Sequence, residues 1–481
     1  MAFLFVDSFD HYTALPNKNI SANNACWIDA SAGRFGGGCL VAGTAGTYYT
    51  IWPMPAAVTY YVGFAYKQSG AGSNPRTVIG FFSGGTRHCY LSLLASGQLQ
   101  AIHGGGTVLG SSTNLYPANE WHYIEIKVTI DDSSGVFEVR VDGTNSGWIN
   151  ASGDTRNGAL LSMDSLHLPD TVGSGTQTTY YDDLYVDTAQ FHGDVRIIYR
   201  APEGAGYYTQ WISSTTEKKN ADMQDNSTPS PNVVSCSNFT SPYDAWRAWD
   251  EDQGNPWYYN STSAPQWLKY DFGNGNARII TNYDLKSNTN NASYPGMPTA
   301  WNLQGSNNDA DWDTLDSRSG ASAWGNSETR NFTFNNETAY RYYKLNLTTK
   351  EGGANGWQLD EIRLYGPINN YTTVDESPPV TTDYVQAIGT DKIDSYAMQD
   401  ISQSSGTVKA VVGNYYVQKA DAGSRTLKMV TRLSSTDLES SEKSIPSSWG
   451  FLQFIQETKP GGGAWSVQDT KDAEMGMKLE V

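Results

Sequence analysis

WHYIEIKVTI, residues 121–130, alternates apolar and polar side chains along its length. The apolar members are Ile124, Ile126, Val128 and Ile130, and polar or aromatic side chains stand between them. A period of two with one apolar face is typical of a half-buried antiparallel strand, because successive side chains point to opposite faces. The run therefore predicts a strand that covers one side of a hydrophobic core.

The neighbouring stretches repeat this pattern. After a polar turn, VFEVRVDG at residues 136–143 places Phe137, Val139 and Val141 on one face, and its Asp-Gly end is a hairpin signal. The runs YLSLL and QLQAI flank a further turn, Ala-Ser-Gly. Short strands at this spacing favour a β-sandwich.

The composition of the whole chain agrees with an all-β fold. The 481 residues are 12% aromatic and only 17% charged, with 47 glycines. Short strands joined by many turns require such a mixture. A chain of this length exceeds what one core can organise, so we expect a multidomain protein of β-sandwiches and jelly rolls.

Charge and hydropathy exclude some partners. The formal net charge is −18, and no basic run is present, which argues against nucleic acid. No apolar stretch reaches the roughly 18 residues that a membrane helix needs. The start, MAFLFVDSFDHYTALPNK, lacks the cationic region and cleavage site of a signal peptide. We therefore expect neither membrane insertion nor conventional export.

Three motifs in the first part of the chain resemble a known family. FVDSFDHY, NEWHYIEIKVTI with the following GVFEVRVDG, and TYYDDLYVD are similar to the concanavalin A-like (laminin-G-like) jelly roll of bacteriophage structural proteins. The resemblance covers about residues 1–192. It implies a virion protein on the exterior of a phage particle.

Catalytic signatures of this fold are missing. Its glycosidase members carry a Glu-x-Asp-x-Glu strand, and the chain has neither this strand nor a G-x-S-x-G, H-E-x-x-H or P-loop motif. Asp183 and Asp187 share a strand face, but a solvated surface is the favoured interpretation. We expect no enzymatic activity and no catalytic residue. For Cys26 and Cys39, free thiols are favoured over a disulfide.

A second resemblance points to an insertion. The stretch GDVRIIYRAPEGAGYYTQW is similar to the strand that follows the lectin-like domain in the same phage proteins, but its continuation begins only near residue 374. This predicts a C-terminal β domain formed by residues 193–220 and 368–481, split by an inserted domain at 222–367. Surface loops tolerate such insertions.

The inserted stretch resembles the discoidin domain, also called coagulation factor 5/8 type C, a galactose-binding-like jelly roll. Four motifs carry the resemblance: PQWLKYDFG, AWNLQGSNNDADWDTLDSR, TAYRYYKLNLT and LDEIRLYG. Ser241-Pro242 predicts the start of a short helical turn. Family members bind sugars or lipid head groups through loops at one end of the barrel. Aromatic side chains in Gly-, Asn- and Ser-rich loops are therefore candidate ligand-binding residues, namely Tyr258, Tyr259, Tyr294 and Trp324.

The acidic loop AWDEDQGNPW, residues 248–257, is a candidate metal site. Calcium is bound by carboxylate, amide and carbonyl oxygens, which a tight loop can supply together. The resemblance implies a structural calcium whose predicted ligands are Asp250, Asp252, Asn255 and Glu361. The loop departs from the family pattern, because Glu251 stands where glycine is usual and Asn255 stands where Ser or Thr is common. An acidic surface turn is the alternative.

These observations favour a non-enzymatic, tail-associated or head-attached adhesin that binds host-surface polysaccharides. The alternative is a decoration protein that contacts neighbouring virion proteins, and a polysaccharide depolymerase has the least support. A homo-oligomer is expected, since weak sugar sites gain avidity from repetition.

Overall fold

The computed structural model describes residues 3–13, 21–22, 26–43, 50–70, 72, 74–170, 177–352, 356–376, 379, 381–387 and 389–480. The chain divides into two compact units. Unit 1 comprises Met1–Trp211, Val374–Thr382 and Ala387–Val481, and unit 2 comprises Ile212–Thr373 and Asp383–Gln386. Nearly all regular structure is strand, which confirms the all-β prediction. None of the described helices is long and apolar enough to span a membrane.

Unit 1 begins with a two-sheet sandwich. Its strands are β1 (Phe3–Asp7), β2 (Ser21–Ala22), β3 (Cys26–Asp29), β4 (Cys39–Ala42), β5 (Thr50–Ala57), β6 (Thr59–Gln68), β7 (Arg76–Ser83), β8 (Thr86–Leu93), β9 (Gln98–His103), β10 (Val108–Leu115), β11 (His122–Thr129), β12 (Gly135–Val141), β13 (Asn150–Gly153), β14 (Met163–His167) and β15 (Thr179–Asp187).

The two sheets enclose the first core. One has the described order β13-β12-β11-β6-β15-β4-β3, with β1 paired to β15, and the other has the order β10-β9-β8-β7-β14-β5-β2. Ile124, Ile126 and Val128 of β11 are fully buried in this core. Phe137 and Val139 of the paired strand β12 join them. The alternation predicted for these strands is therefore confirmed. Cys26 and Cys39 are free thiols.

Unit 2 follows β16 (Pro202–Thr209), which belongs to unit 1. Its strands are β17 (Ile212–Ser213), β18 (Thr216–Lys218), β19 (Val233–Cys236), β20 (Trp257–Tyr259), β21 (Gln266–Asp271), β22 (Asn282–Lys286), β23 (Pro298–Ser306), β24 (Asp313–Arg318), β25 (Thr329–Thr333), β26 (Tyr342–Lys350), β27 (Trp357–Leu359), β28 (Glu361–Pro367) and β29 (Val385–Gln386). Two 3₁₀ turns, Ala245–Ala248 and Asn370–Thr373, complete it.

The larger sheets of unit 2 have the described orders β19-β21-β26-β23-β24 and β18-β28-β22-β25. Between them lies a core that contains the fully buried indoles of Trp257, Trp301 and Trp357. Leu268 and Tyr270 of β21 point into it, as the alternation of PQWLKYDFG predicts.

The short helical turn of unit 2 begins later than predicted. It starts at Ala245 instead of near Ser241, because the Asp244 carboxylate accepts the Ala245 N–H at 2.6 Å and acts as the N-cap. Ala245 and Ala248 are buried and anchor the turn in the core.

Strand register gives unit 2 two distinct ends. At one end, Cys236 pairs with Leu268 and Lys286 with Glu361, so the loops 237–256, 260–265, 287–297 and 319–328 meet there, together with Glu351 and Gly352 after β26. We call this the loop end. At the opposite end, Thr216 pairs with Pro367, so the chain enters and leaves unit 2 there. We call this the linker end.

The rest of unit 1 is a second β layer. Its strands are β30 (Ile393–Met398), β31 (Val411–Val417), β32 (Thr426–Leu433), β33 (Thr436–Glu439), β34 (Lys443–Ser444), β35 (Gly450–Gln456) and β36 (Glu474–Leu479), with one helix, α1 (Val467–Asp472). The described order of one sheet is β16-β30-β36-β32-β33, and β31 pairs with β35.

An additional cluster joins this layer to the sandwich within unit 1. Tyr123 and Tyr185, on the outer face of the first sheet, are buried with Val412 and Ile455. Gln453 of β35 donates to the Val6 carbonyl of β1 at 2.9 Å. The division of unit 1 into separate domains at residues 1–192 and 193–220 plus 368–481 stays a prediction, as does the boundary of the insertion at 222–367.

Candidate functional site

The four candidate aromatic residues all lie near the loop end of unit 2, but their exposure differs widely. The Tyr294 side chain is 62% exposed, whereas that of Trp324 is only 3% exposed. Tyr259 is half-buried and packs against the core, and Tyr258 is half-buried beside it. Only a ring with an accessible face can stack on a sugar, so Tyr294 is the strongest candidate of the four.

Trp324 is a correction to the sequence analysis. Its indole N–H donates to the Pro298 carbonyl at 3.0 Å, and the Arg330 guanidinium lies 4.0 Å from the ring centroid. The ring belongs to the hydrophobic core, although it lies in a Gly-, Asn- and Ser-rich segment. A buried tryptophan with a satisfied N–H stabilises the fold and offers no face to a ligand.

Tyr258 retains a limited opening. Its ring meets Tyr243 edge to face, with 5.8 Å between centroids, and its hydroxyl donates to the Asn260 side-chain oxygen at 2.9 Å. Tyr243 and Tyr258 are both half-buried. This pair could supply a second, smaller contact surface at the same end.

A buried polar network fixes the loop that carries Tyr294. Glu351 is buried, and its carboxylate accepts hydrogen bonds from the backbone N–H of Trp324 at 2.6 Å and from the side-chain amide of Asn291 at 2.9 Å. The Gln358 amide donates to the Asn291 side-chain oxygen at 2.9 Å and to the Tyr294 carbonyl. Three loops of the loop end are thereby held together by side chains that water does not reach.

Sequence reasoning missed Glu351, Asn291 and Gln358. Each is a common residue type without a motif of its own, and their role depends on contacts between residues 60 and 67 positions apart. The network fixes the backbone that carries the exposed Tyr294 ring. An ordered loop loses less conformational freedom when a ligand binds.

Asp250 and Glu361 of the predicted metal site lie together. Their carboxyl groups interact directly, and Glu361 Oε1 also accepts the Glu251 N–H at 2.7 Å. Burial raises the pKa of Asp250 to about 6, and burial together with the nearby Glu251 raises that of Glu361 to about 9. Glu361 Oε2 is buried without a hydrogen-bond partner, as is Asp360 Oδ2 beside it. Two contacting carboxyl groups with an unsatisfied buried oxygen suit a cation.

Asp252 and Asn255 do not complete this site with their side chains. Both are exposed, and the Asn255 amide donates to Asp252 Oδ2 at 2.9 Å. Among the described residues, no group of three or more His, Cys, Asp or Glu side chains is placed to hold a metal. Of the four predicted ligands, the structure therefore brings only the carboxyl groups of Asp250 and Glu361 together, and the calcium ion itself stays a prediction.

Glu251 takes a special conformation and a special partner. Its φ is +60°, in the left-handed region where glycine is favoured. Its carboxylate forms a two-point contact with the Arg363 guanidinium, at 2.7 and 2.5 Å, and accepts from Lys218 at 2.6 Å. These contacts, Arg363 first, lower the pKa of Glu251 to about 2. Arg363 is thereby engaged by Glu251.

Unit 1 contains another buried carboxylate pair, Asp182 and Asp183. Burial is the main cause that raises their pKa values, to about 8 and about 7. Asp182 accepts the Arg34 N–H at 2.7 Å, and the Arg34 guanidinium lies 3.9 Å from Asp183 and bonds Asp194 at 2.5 and 2.6 Å. The favoured interpretation of Asp183 and Asp187 as solvated surface is wrong, since both are buried. Asp187 is paired with His192 at 2.8 Å.

Comparison with known proteins places part of unit 2 in a family. Residues 232–362 match the F5/8 type C domain. No curated protein matches the chain. The predicted discoidin domain is therefore confirmed for residues 232–362, and the concanavalin A-like resemblance of the first 192 residues stays a prediction.

Several solved structures resemble part of the chain, each with a TM-score of 0.24. The family 32 carbohydrate-binding module of Clostridium perfringens NanJ, in complex with galactose, is 19% identical, over 28% of this chain and 93% of that one. Chitosan-binding module 2 of a Paenibacillus sp. IK-5 chitosanase/glucanase, in complex with chitotriose, is 22% identical, over 28% and 96%. The F5/8 type C domain of a Bacteroides fragilis protein is 15% identical, over 33% and 97%.

Proposed function

We propose that the chain is a non-enzymatic adhesin whose unit 2 binds glycans at its loop end. The family match of residues 232–362 supports a ligand-binding role for this unit. The observation that carries the proposal is Tyr294, an aromatic ring that is 62% exposed on a loop held by buried hydrogen bonds. Its ring stacks on a pyranose face, and neighbouring loop amides bond the sugar hydroxyls.

The polar side chains around Tyr294 suit a neutral sugar. Asn290 and Asn326 are exposed on the same loops. The Asn290 carbonyl accepts the Tyr294 N–H at 3.0 Å, and Asn326 Oδ1 accepts the Ala292 N–H at 2.7 Å. Asparagine side chains combine a donor and an acceptor, as do the hydroxyls of a sugar. The proposed ligand is therefore an uncharged hexose at the end or along the side of a host-surface polysaccharide.

A glycan array probed with the whole chain tests this proposal. Tyr294→Ala should weaken binding by at least about tenfold, because the loss of one stacking contact of this size corresponds to roughly 1.4 kcal/mol. Tyr384→Ala is the matched control, because it removes a tyrosine that is 37% exposed on the short segment 383–386 of unit 2. The melting temperature should not change in either variant.

Two results would contradict the proposal. One is a wild-type chain that binds no glycan on the array, and the other is a Tyr294→Ala variant that binds as well as the wild type. Trp324→Ala separates the two kinds of aromatic residue, because it should lower the melting temperature strongly through the loss of buried area.

The same proposal includes the structural calcium ion and the place of the protein. Calcium held by Asp250 and Glu361 would stabilise the loop end without taking part in chemistry.

The resemblance of the first 192 residues to phage proteins supports a position on the virion exterior, where neighbouring virion proteins hold the chain. Copies of the chain in a homo-oligomer would give weak glycan sites their avidity. Electron microscopy of particles labelled with an antibody to unit 2 tests this position.

A further inference from the structure

The outer face of the five-stranded sheet in unit 2 carries amines and aromatic rings side by side. The residues of this face are Trp267 and Lys269 of β21, Trp312 just before β24, and Tyr342 and Lys344 of β26. All five are half-buried, while the alternate residues Leu268, Tyr270 and Leu345 lie in the core. We call these five residues the basic face.

The two lysines stand directly opposite each other. In the register of β21 and β26, Lys269 is paired with Lys344, and Gln304 of β23 is the next neighbour of Lys344. Like charges at directly opposed strand positions destabilise a sheet. The chain has a net charge of −18 and 50 acidic residues, so two directly opposed lysines are not a consequence of an excess of basic residues. A local conflict of this kind is a feature of functional sites.

Neighbouring carboxylates do not resolve this conflict fully. Lys269 Nζ lies 2.6 Å from the Asp309 carboxylate. For Lys344, no carboxylate oxygen within 4.0 Å is found in the described part of the chain, and its amine instead lies 3.8 Å from the Trp312 ring centroid. Burial lowers the pKa of Lys344, which agrees with an amine that has lost water without gaining an ion pair.

The surroundings of the two amines have the composition of a sugar site. Trp312 supplies a ring that touches one amine, and Tyr342 lies within 5.7 Å of the other. The nearby strand positions hold the uncharged amides Asn302, Gln304 and Asn346. Arg341 is engaged with Asp271 at 2.7 Å, so it does not compete for a ligand. Two cations, aromatic rings and amides together recognise an anionic group on a sugar.

We propose that the basic face binds an anionic polysaccharide, with one carboxylate or sulfate group placed between Lys269 and Lys344. The Trp312 ring packs against the sugar that carries this group. The face lies on the middle of the sheet, away from the loop end, so this site does not depend on the glycan site around Tyr294.

The test uses the whole chain with three soluble probes: polygalacturonate for the carboxylate, dextran sulfate for the sulfate, and neutral dextran as the uncharged reference. Binding is measured by isothermal titration calorimetry at low salt and at physiological salt. We expect one of the anionic probes to bind with an affinity that falls as salt rises, and any binding of dextran at the loop end to show no such salt dependence and to disappear in Tyr294→Ala. Whichever anionic probe binds identifies the group.

Variants then locate the site. Lys344→Gln and Lys269→Gln should each weaken binding by about tenfold or more, since each removes one charge-assisted hydrogen bond. The matched control is Lys219→Gln, which removes a lysine paired with Glu217 next to β18. Tyr294→Ala should leave this binding unchanged. Relief of the like-charge contact should leave Lys344→Gln at least as heat-stable as the wild type.

The proposal fails if neither anionic probe binds at low salt. It also fails if Lys344→Gln and Lys219→Gln weaken binding equally, because binding would then follow net charge alone. Loss of binding in Tyr294→Ala would assign the anionic ligand to the loop end instead. This outcome overturns the basic face and leaves glycan binding at the loop end standing, with an anionic in place of an uncharged sugar.

Discussion

The two units bury carboxylate pairs in opposite ways. In unit 1, Asp182 and Asp183 have Arg34 beside them, and this guanidinium is itself held by Asp194. In unit 2, Asp250 and Glu361 have Arg363 nearby, but Glu251 forms a two-point contact with that guanidinium. Glu361 Oε2 and Asp183 Oδ2 are both buried without a hydrogen-bond partner, but Asp183 Oδ2 lies 3.9 Å from the Arg34 guanidinium. Unit 1 therefore places a cation of its own beside the pair, whereas in unit 2 we propose that a cation from solution takes this place.

The difference shows how a buried carboxyl pair can make the stability of a domain depend on a bound cation. Two buried carboxyl groups repel each other and lose their hydration unless a cation or a proton is supplied. An arginine beside the pair supplies the cation within the fold. Where the arginine pairs with another carboxylate instead, the stability of the unit would depend on a bound ion. Measurements of the stability of each unit separate these two cases.

The largest effect is expected for Arg34→Met. Arg34 is only 13% exposed, and this change removes the cation that lies beside Asp183. Loss of one partner from a buried ion pair destabilises a protein by about 3–5 kcal/mol. Urea unfolding followed by tryptophan fluorescence measures it on the transition of unit 1. Arg425→Met, which breaks an exposed pair with Asp421, is the control and should cost less than about 1 kcal/mol. Equal effects of the two changes would remove Arg34 from this role.

Removal of calcium should affect unit 2 alone. At a calcium concentration of about 100 times its Kd, chelation with EDTA should lower the stability of unit 2 by roughly 2.7 kcal/mol and leave the transition of unit 1 in place. Differential scanning calorimetry of the whole chain records both. Asp250→Ala should abolish the response and Asp252→Ala should retain it, since Asp252 is exposed and bonded to Asn255. A calcium response that disappears equally in both variants would restore the original ligand set.

A change of pH should affect unit 1 in a direction set by its carboxyl pair. The pKa values of Asp182 and Asp183 are raised to about 8 and about 7, so the folded state binds more protons than the unfolded state above pH 4. The stability that these groups contribute is present at acidic pH and is lost as the pH rises through 7 and 8. From pH 7 to pH 9 we expect a loss of about 2 kcal/mol. Asp182→Asn should flatten this dependence, and an unchanged slope would contradict it.

The smallest net effect is expected for Glu251→Gln. This change frees Arg363 to turn toward Glu361, so unit 2 should come to resemble unit 1. The lost ion pairs are partly exposed, so the free energy of unfolding should change by no more than about 1 kcal/mol. The calcium-dependent rise in melting temperature should shrink, which calorimetry with and without EDTA measures. A calcium response as large as that of the wild type would mean that Arg363 does not compete with the ion.

The sequence could predict the strands whose two faces differ in polarity, but not what covers their outer faces. The positions Ile124, Ile126 and Val128 are buried as the alternation of β11 indicates. Tyr123 is also buried, because β31 and β35 cover that side in unit 1. Glu125 is buried where its carboxylate accepts hydrogen bonds from the Tyr185 hydroxyl and the Gly193 N–H. The covering strands lie hundreds of residues later in the chain, so the alternation of polar and apolar residues in β11 does not indicate that its outer face is buried.

The candidate site was predictable where a motif fixes position and unpredictable where packing decides. LDEIRLYG and AWDEDQGNPW indicated that Glu361 and Asp250 meet, and the structure brings them together. Trp324 and Tyr294 lie in similar irregular segments, yet one is buried and the other exposed. An irregular segment has no periodicity that predicts which side chains are buried. Trp324 differs from Tyr294 through its contacts, because its indole N–H donates to the Pro298 carbonyl and its backbone N–H donates to Glu351.

The paired ends of unit 2 have an evolutionary consequence. β18 pairs with β28, and β17 pairs with β29, so the incoming and outgoing strands run antiparallel, roughly 5 Å apart. A module that begins and finishes at neighbouring points can be gained, deleted or exchanged by recombination while its host keeps one continuous chain. On the proposed function, a lineage could thus change the glycan that the chain binds by replacing unit 2 alone. The same two strands are the natural splice points for a laboratory exchange of one recognition module for another.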